Sequence, residues 1–343
     1  METSGVLLVD KPQGVTSHDV VAAVRSTLRM RRVGHAGTLD PMATGMLVVA
    51  YGQATRLLNA IVGQDKTYLA TMRLGMATTT DDAEGDPLDG GVQTPQVRRR
   101  VADLTGTRLE EIMRDRFTGF IDQVPDAFSA VKVDGRRAYE LARRGEKVDL
   151  KPRRIHIAGY DLLTSRQVAT DGGDLYLDCD VRVTCSSGTF IRALARDLGE
   201  LLQVGGHLTM LRRTRVGRFD LEADGTGVRA LTGHVEAYTR IGRDGGQVTR
   251  RRMVLDQDRQ EVLAAAMTPA HAARLTLPVV RIDRAQAGIL SHGGFLDIRL
   301  DGPTAALAPA PGLPEGEYLC ALLSARGSGR AKPDVVFACP ADE

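Results

Sequence analysis

An α+β fold with a mainly antiparallel mixed sheet, followed by a small C-terminal β-rich module, is the architecture this sequence predicts. Leu175, Leu177, Cys179, Val181, Val183 and Cys185 alternate with mostly polar neighbours, the period of two that marks a half-buried strand. Strand-like stretches alternate with helical patterns over the first two thirds of the chain. In the last quarter, short apolar runs are punctuated by glycine and proline.

The elements follow in order. Residues 5–9 are a short apolar strand that ends at Asp10-Lys11-Pro12. Thr16 then serves as N-cap of a helix, with Asp19 three residues on and Val20, Val21, Val24 and Leu28 as one apolar stripe. The loop Gly34-His35-Ala36-Gly37-Thr38-Leu39-Asp40-Pro41 follows, then a strand over 46–51 and a helix over 53–62. A strand over 66–74 runs into a polar loop, 78–89, whose Asp81, Asp82, Glu84 and Asp86 lack the spacing of a calcium loop and read as a solvated connection. The strand at 175–185 carries Cys179 and Cys185 on its inner face. Ser186 to Thr189 turns it into a helix over 190–202, with Ile191, Leu194, Leu198 and Leu201 toward the core. Glycine and arginine then dominate 231–254, a change of composition that suggests a boundary. Beyond it, 279–282, 295–300, 318–323 and 335–338 are strand candidates.

At 343 residues the chain suits two domains, or one large domain with an appendage, and buries a core without covalent staples. Hydrophobic residues at 43% and charged residues at 26% describe a soluble globular protein. No apolar run is long enough to span a bilayer, and the first ten residues lack the pattern of a signal peptide. Cys179, Cys185, Cys320 and Cys339 form no CxxC pair, which argues against zinc and for reduced thiols in a cytoplasmic protein. The net charge of +2 says little about partners, but its distribution says more. Between positions 123 and 154, nine Lys or Arg face five Asp or Glu, a local excess of four positive charges. Such a segment supplies phosphate contacts, although a solvated face has the same composition.

The most informative stretch is the loop around Asp40. Gly34 and Gly37 permit close backbone approach, and Pro41 restricts Asp40 to an extended or turn conformation. Taken alone it reads as a surface turn. Its company changes that reading. GVLLVDKPQGVTSHD (5–19), GHAGTLDPMATGML (34–47), DKTYLATMRLG (65–75), QVPDAFSAVKVDGRRAYELARRG (123–145), CSSGTFIRALARDLG (185–199) and HLTMLRRTRVGRF (207–219) occur in this order. Together they resemble the TruB-type tRNA pseudouridine synthases over about 5–219.

The resemblance implies a pseudouridine-synthase fold over 1–240, with an RNA-gripping insertion at 123–154. A linker over 241–274 and a C-terminal PUA-like domain over 275–343 complete the expected chain. It implies isomerisation of uridine 55 in the T-loop of tRNA. The C1′–N1 bond is cut, the base turns, and the base rejoins through C5, so neither metal nor cofactor is needed. Asp40 would be the nucleophile, and Arg192 the cation that keeps it ionised. Tyr68 would stack on the uracil, and Leu211 would line its pocket. His35 would occupy the space left by the flipped nucleotide. Phe190 stands where the family commonly has tyrosine, as does Phe128, so stacking remains but a hydrogen bond of about 1 kcal/mol is lost. RNA contacts would come from Lys66, Arg136, Arg137, Arg143, Arg144, Arg212 and Arg213. The partner would be the tRNA T-stem-loop, met by a cytoplasmic monomer with no membrane, guide RNA or protein partner. The rival readings are a non-catalytic tRNA-binding or tRNA-folding protein, a guide-RNA-dependent synthase, and an aspartate-nucleophile hydrolase.

Overall fold

Gly5–Lys11 forms strand β1, and because its sequence is almost uninterruptedly apolar, six of its seven residues are buried rather than every second one. The structure, a computed structural model, describes residues 4–126, 132, 133, 136, 137, 141, 144, 150–221, 229–241, 246–313, 315–327 and 329–339. They fall into two units: Met1–Pro41, Gly45–Gln64 and Val216–Glu343 form the first, and Met42–Thr44 and Asp65–Arg215 the second.

In the first unit, helix α1 (Ser17–Leu28) begins where expected. The Thr16 side chain accepts from the Asp19 amide and the Asp19 carboxylate accepts from the Thr16 amide, a reciprocal cap that satisfies two orphan donors. Its apolar stripe, Val20, Val21, Val24 and Leu28, packs with Leu7, Val9, Leu47 and Val49. Strand β2 (Val33–His35) and strand β1 both pair antiparallel with β3 (Thr44–Tyr51). The single helix expected over 53–62 is instead a 3-10 helix, Gly52–Leu57, followed by one turn and a half of α2 (Leu58–Val62).

The second unit starts at β4 (Lys66–Leu74), with the bounds read from sequence. Helices α3 (Pro95–Ala102) and α4 (Gly106–Phe117) lead to β5 (Gly119–Gln123) and to the short pair β6 (Lys132–Val133) and β7 (Arg136–Arg137). The long strand β8 (Arg153–Ala169), then β9 (Leu175–Cys185), α5 (Ile191–Leu202) and β10 (Gly206–Val216) complete it. The sheet order is β10-β4-β9-β8-β5. Its β4–β9, β9–β8 and β8–β5 pairs are antiparallel. Cys179 and Cys185 lie on the buried face, as the alternation requires, and burial pushes their thiols up to about 12 and about 11. Helix α5 lies tightly over the start of β10. A Cβ added at Gly199 would sit 2.3 Å from the backbone of Gly205 and Gly206, so only glycine fits. Ile191, Leu194 and Leu198 are buried, but Leu201 is 43% exposed, near the helix end where the apolar stripe has turned away.

The chain returns to the first unit through β11 (Phe219–Asp220). The arginine-rich stretch then folds as a hairpin of β12 (Gly233–Ile241) and β13 (Gln247–Leu255). Met253, Leu255 and Val262, on β13 and on helix α6 (Arg259–Ala264), join the core around α1. Helix α7 (Pro269–Thr276) buries Ala270, Ala272 and Ala273 beside Val6 and Leu8. The stretch read as a linker over 241–274 is therefore corrected: composition alone suggested it, and half-exposed hairpins have that composition too. After β14 (Val279–Arg281) and helix α8 (Arg284–Ser291), strands β15 (Thr304–Pro309), β16 (Glu317–Arg326) and β17 (Arg330–Val336) form a small sheet ordered β14-β15-β16-β17. Residues 295–300, read as a strand, contribute only the Leu296–Ala331 bridge. The strand of this region is β15, Thr304–Pro309, a stretch not among the strand candidates. One face of this sheet covers Ile282, Leu290 and Cys320. From the other, Ala305, Leu307 and Leu319 share a core with Met46 and Val48.

Candidate active site

The Asp40 loop is held through its backbone. Ser17 Oγ accepts from the Leu39 amide at 2.8 Å and donates to the Leu39 carbonyl at 3.1 Å. On the other side of Asp40, the Pro41 carbonyl accepts from the Gly14 amide at 2.7 Å and from Lys11 Nζ at 3.3 Å. Lys11 itself is fully buried, and its ammonium also donates to the carbonyls of Pro12 and Val15. A buried charge costs little when oxygen acceptors surround it in this way. Gly37 has φ +94°, a conformation that a side chain would disfavour, and its bend carries the chain out of β2 toward Asp40. Both neighbours of Asp40 are thus fixed while its side chain is half-buried. His35 ends β2, opposite Val49, with its ring edge-on to His18 at 6.4 Å.

Tyr68, Lys66, Phe190, Arg192 and Leu211 belong to the second unit. Tyr68 is buried on β4, opposite Val183 of β9. Lys66 precedes it by two residues and so shares its face of the strand. It is buried rather than offered to solvent, and burial first, then the Arg213 charge, lowers its pKa to about 8. Leu211 is buried on β10. Phe190 occupies the N-cap of α5. Its amide donates to the Gln123 side chain at 2.9 Å and its carbonyl accepts from that side chain at 3.0 Å.

Arg192, in the first turn of α5, is 5% exposed. Its guanidinium donates to the Thr80 carbonyl at 2.9 Å and pairs with Asp126 and with Asp82, the latter at 3.6 Å. One turn later, Arg196 pairs with Asp81 at 3.1 Å and donates to the Val124 carbonyl at 2.8 Å. In the loop over 78–89, read as solvated, Glu84 and Asp86 are exposed, but Asp81 and Asp82 are buried, and for these two the reading is corrected. Two arginines on one helix face are what keep these carboxylates inside. Asp82 also organises its own loop, accepting from Thr80 Oγ at 2.6 Å and from the Glu84 amide at 3.0 Å. Burial pushes the Asp81 carboxyl up to about 6, with Arg196 opposing and the Asp126 charge reinforcing the rise.

Of the expected RNA contacts, Arg136 and Arg144 are exposed and Arg212 is half-buried. Arg213 is 1% exposed, so as a phosphate contact it is corrected along with Lys66. Both sit on strands whose inward positions the charge pattern did not reveal. The side chain of Arg137, together with Arg143 and Phe128, lies outside the described residues. Sequence reasoning missed Lys11, Ser17, Thr80, Asp82, Asp126 and Arg196. Only Lys11 carried a signal, a lone cation ending an apolar strand.

Among solved structures, the chain is similar to one titled "Crystal Structure of a Cbf5-Nop10-Gar1 Complex", with a TM-score of 0.60 and 25% identity, covering 98% of this chain and 84% of that one. The family models define the class, a pseudouridine synthase. The model described as "TruB family pseudouridylate synthase (N terminal domain)" matches residues 25–191, and "tRNA pseudouridylate synthase B C-terminal domain" matches 192–244. A tRNA pseudouridine synthase B from Bifidobacterium longum is 44% identical over 97% of this chain and 98% of its own length. One from Thermobifida fusca is also 44% identical with the same coverage. One from a Mycobacterium species is 53% identical over 64% of this chain and 69% of its own. The chain belongs to the TruB family of pseudouridylate synthases. Among the described residues, no helix is long and apolar enough to cross a membrane.

Proposed function

We propose that this chain converts uridine 55 in the T-loop of tRNA to pseudouridine, with Asp40 as the nucleophile. The observation that carries the proposal is the loop itself. Asp40 is flanked by Leu39 and Pro41, whose backbone groups are bonded to Ser17, Gly14 and Lys11, so its carboxylate is presented with little freedom. A nucleophile held this way does not spend binding energy on being oriented. In the reaction the C1′–N1 bond breaks and a C1′–C5 bond forms. N1 gains a proton and C5 loses one, so the product is an isomer and no redox partner enters. Tyr68 stacks on the base and Leu211 closes the apolar side of its pocket. Phe190 keeps an aromatic face without a hydroxyl. Arg192 contributes a positive charge that Thr80, Asp82 and Asp126 have already oriented. His35 takes the place of the extruded nucleotide.

The relatives' names support tRNA as substrate. The exposed Arg136 and Arg144 support an RNA-gripping role for the basic insertion. We propose further that the chain acts alone in the cytoplasm, as a monomer without guide RNA, protein partner, metal or cofactor, and that its C-terminal sheet is PUA-like. The test is release of labelled C5 hydrogen from uridines of an unmodified tRNA transcript. The expected result is one equivalent per tRNA, lost when position 55 is changed to cytidine. Release that persists in that transcript would refute the assignment of the target.

A further inference from the structure

Lys66 is the first residue of β4 and is buried; Tyr68, two residues on, is buried on the same face of that strand. At roughly 3.3 Å per residue their Cα atoms lie about 7 Å apart, a separation that the four-carbon stem of lysine spans. Three further groups bear on the Lys66 amine. Arg213, buried on β10, the strand beside β4, adds a second positive charge. Cys185 lies opposite Lys66 on β9, and burial pushes its thiol up to about 11, so it stays uncharged near neutral pH. Asp65, the neighbour in sequence, is exposed, so water weakens the pull of its carboxylate. Two buried cations on neighbouring strands repel, and a guanidinium does not give up its proton, so the amine is the group that can. Burial first and Arg213 second lower the Lys66 pKa to about 8, which leaves a neutral fraction at working pH.

We propose that Lys66 is the proton acceptor behind Tyr68, a positioning residue that lets the Tyr68 hydroxyl remove the C5 proton of the target uridine. This rests on the proposed isomerisation and on the place of Tyr68 in the uracil pocket. A neutral phenol takes a proton only as it gives one up, and an amine within reach is the acceptor it needs. The C5–H bond breaks and its electron pair returns to the ring. The phenol oxygen takes that proton while its own proton passes to Lys66 Nζ. The lysine ammonium then exchanges with solvent, where the C5 hydrogen is released, and N1 takes its proton from water. One proton is lost at C5 and one gained at N1, with no electrons transferred to or from the base. Arginine at position 66 cannot serve, because it is already fully protonated. A lysine with only a structural task would be replaced adequately by a group that keeps its charge.

The experiment follows single turnovers of the full chain on an unmodified tRNA transcript carrying hydrogen or deuterium at C5 of its uridines, from pH 6 to pH 9. At pH 9 Lys66 is mostly neutral and the C5 step is fast, so no isotope effect is expected. At pH 6 the neutral amine falls to about one part in a hundred, so C5–H cleavage becomes slow and a primary isotope effect is expected. Lys66→Arg and Lys66→Met should show that effect at every pH, with turnover at pH 9 about a hundredfold lower, the loss typical of a missing general base. Their tRNA affinity should stay within about threefold of the parent, because a buried group makes no phosphate contact, and this also shows that they are folded. Lys66→Ala should regain turnover on addition of ethylamine but not of guanidinium, a readout that stands even if the larger variants fail to fold. Parent-like turnover in Lys66→Arg, slow variants without an isotope effect, a parent whose isotope effect ignores pH, or an alanine variant that ethylamine does not rescue would each overturn the inference. A parent protein that releases no C5 hydrogen at any pH would instead overturn the proposed function.

Discussion

Replacing Asp81 by asparagine should make the chain more stable near neutral pH than its behaviour in acid would suggest. Asp81 is 8% exposed, and burial pushes its carboxyl from 3.8 up to about 6 despite the Arg196 ion pair at 3.1 Å. The folded value is the higher one, so between the two values the folded chain binds more protons than the unfolded chain. Stability from this group is then complete below 3.8 and is lost as pH rises through 6. Each pKa unit of separation is worth about 1.4 kcal/mol, so the whole window holds about 3 kcal/mol, of which roughly 2 kcal/mol falls between pH 4 and pH 7. Asparagine fills the same space and is neutral throughout. It loses the charge of the Arg196 pair, a loss that sets a constant offset, but it escapes the cost of ionising a buried carboxyl. The stability of Asp81→Asn relative to the parent should therefore rise by roughly 2 kcal/mol from pH 4 to pH 7. Urea unfolding followed by far-ultraviolet circular dichroism measures this; the chain has no tryptophan, so the backbone signal is the practical one. The comparison requires equal denaturant slopes for the two chains. A difference that stays flat across that range would show that Asp81 is solvated, and with it the burial of the Asp81–Arg196 pair would fall.

Four further outcomes are expected. Asp40→Asn should reduce hydrogen release below about 1% of the parent while tRNA affinity changes little, which single-turnover assays and filter binding measure separately. Arg192→Lys should lower turnover, because an ammonium cannot reach the Thr80 carbonyl and two carboxylates with a planar fork; full activity in a single-turnover assay would show that a diffuse charge suffices. Ser17→Ala should leave the Leu39 amide and carbonyl unsatisfied at a cost of about 1–3 kcal/mol, and should lower kcat more than it raises KM if the loop presents Asp40 as argued. Replacing Arg136, Arg137, Arg143 and Arg144 together by alanine should weaken tRNA binding and flatten its salt dependence; an unchanged slope in a filter-binding series would assign those arginines to a solvated face.

What could be read in the sequence, and what could not, divides along a physical line. Local rules found the elements whose evidence is local. Thr16 and Asp19 are a cap because their groups lie within one turn, and 66–74 and 175–185 are strands because pleating imposes a period of two. The turn at Asp40 was legible for the same reason, since Gly37 and Pro41 act on the backbone beside them, but the role proposed for Asp40 came from the resemblance alone. Long-range electrostatics left no such mark. Asp81 and Asp82 look like solvated loop carboxylates until helix α5, more than 100 residues later, brings Arg196 and Arg192 against them. Asp126 joins the same arginine from the far side of β5, and nothing near it in sequence points there. Lys66 and Arg213 failed for the mirror-image reason: charge on a strand says nothing about which face is inward until the register is known, and a one-residue shift would reverse it. The boundary inferred near 240 failed because composition measures exposure, not independence. Residues 247–255 are rich in arginine on their outer side yet carry Met253 and Leu255 into the core beside α1. The conformation of the Asp40 loop is thus encoded locally, whereas the charge field around Arg192 is a property of the folded second unit. Substitutions at Asp82 or Asp126 should therefore act through Arg192: Asp82 lies outside the six family-like segments, and Asp126 lies inside one that did not mark it as a site residue.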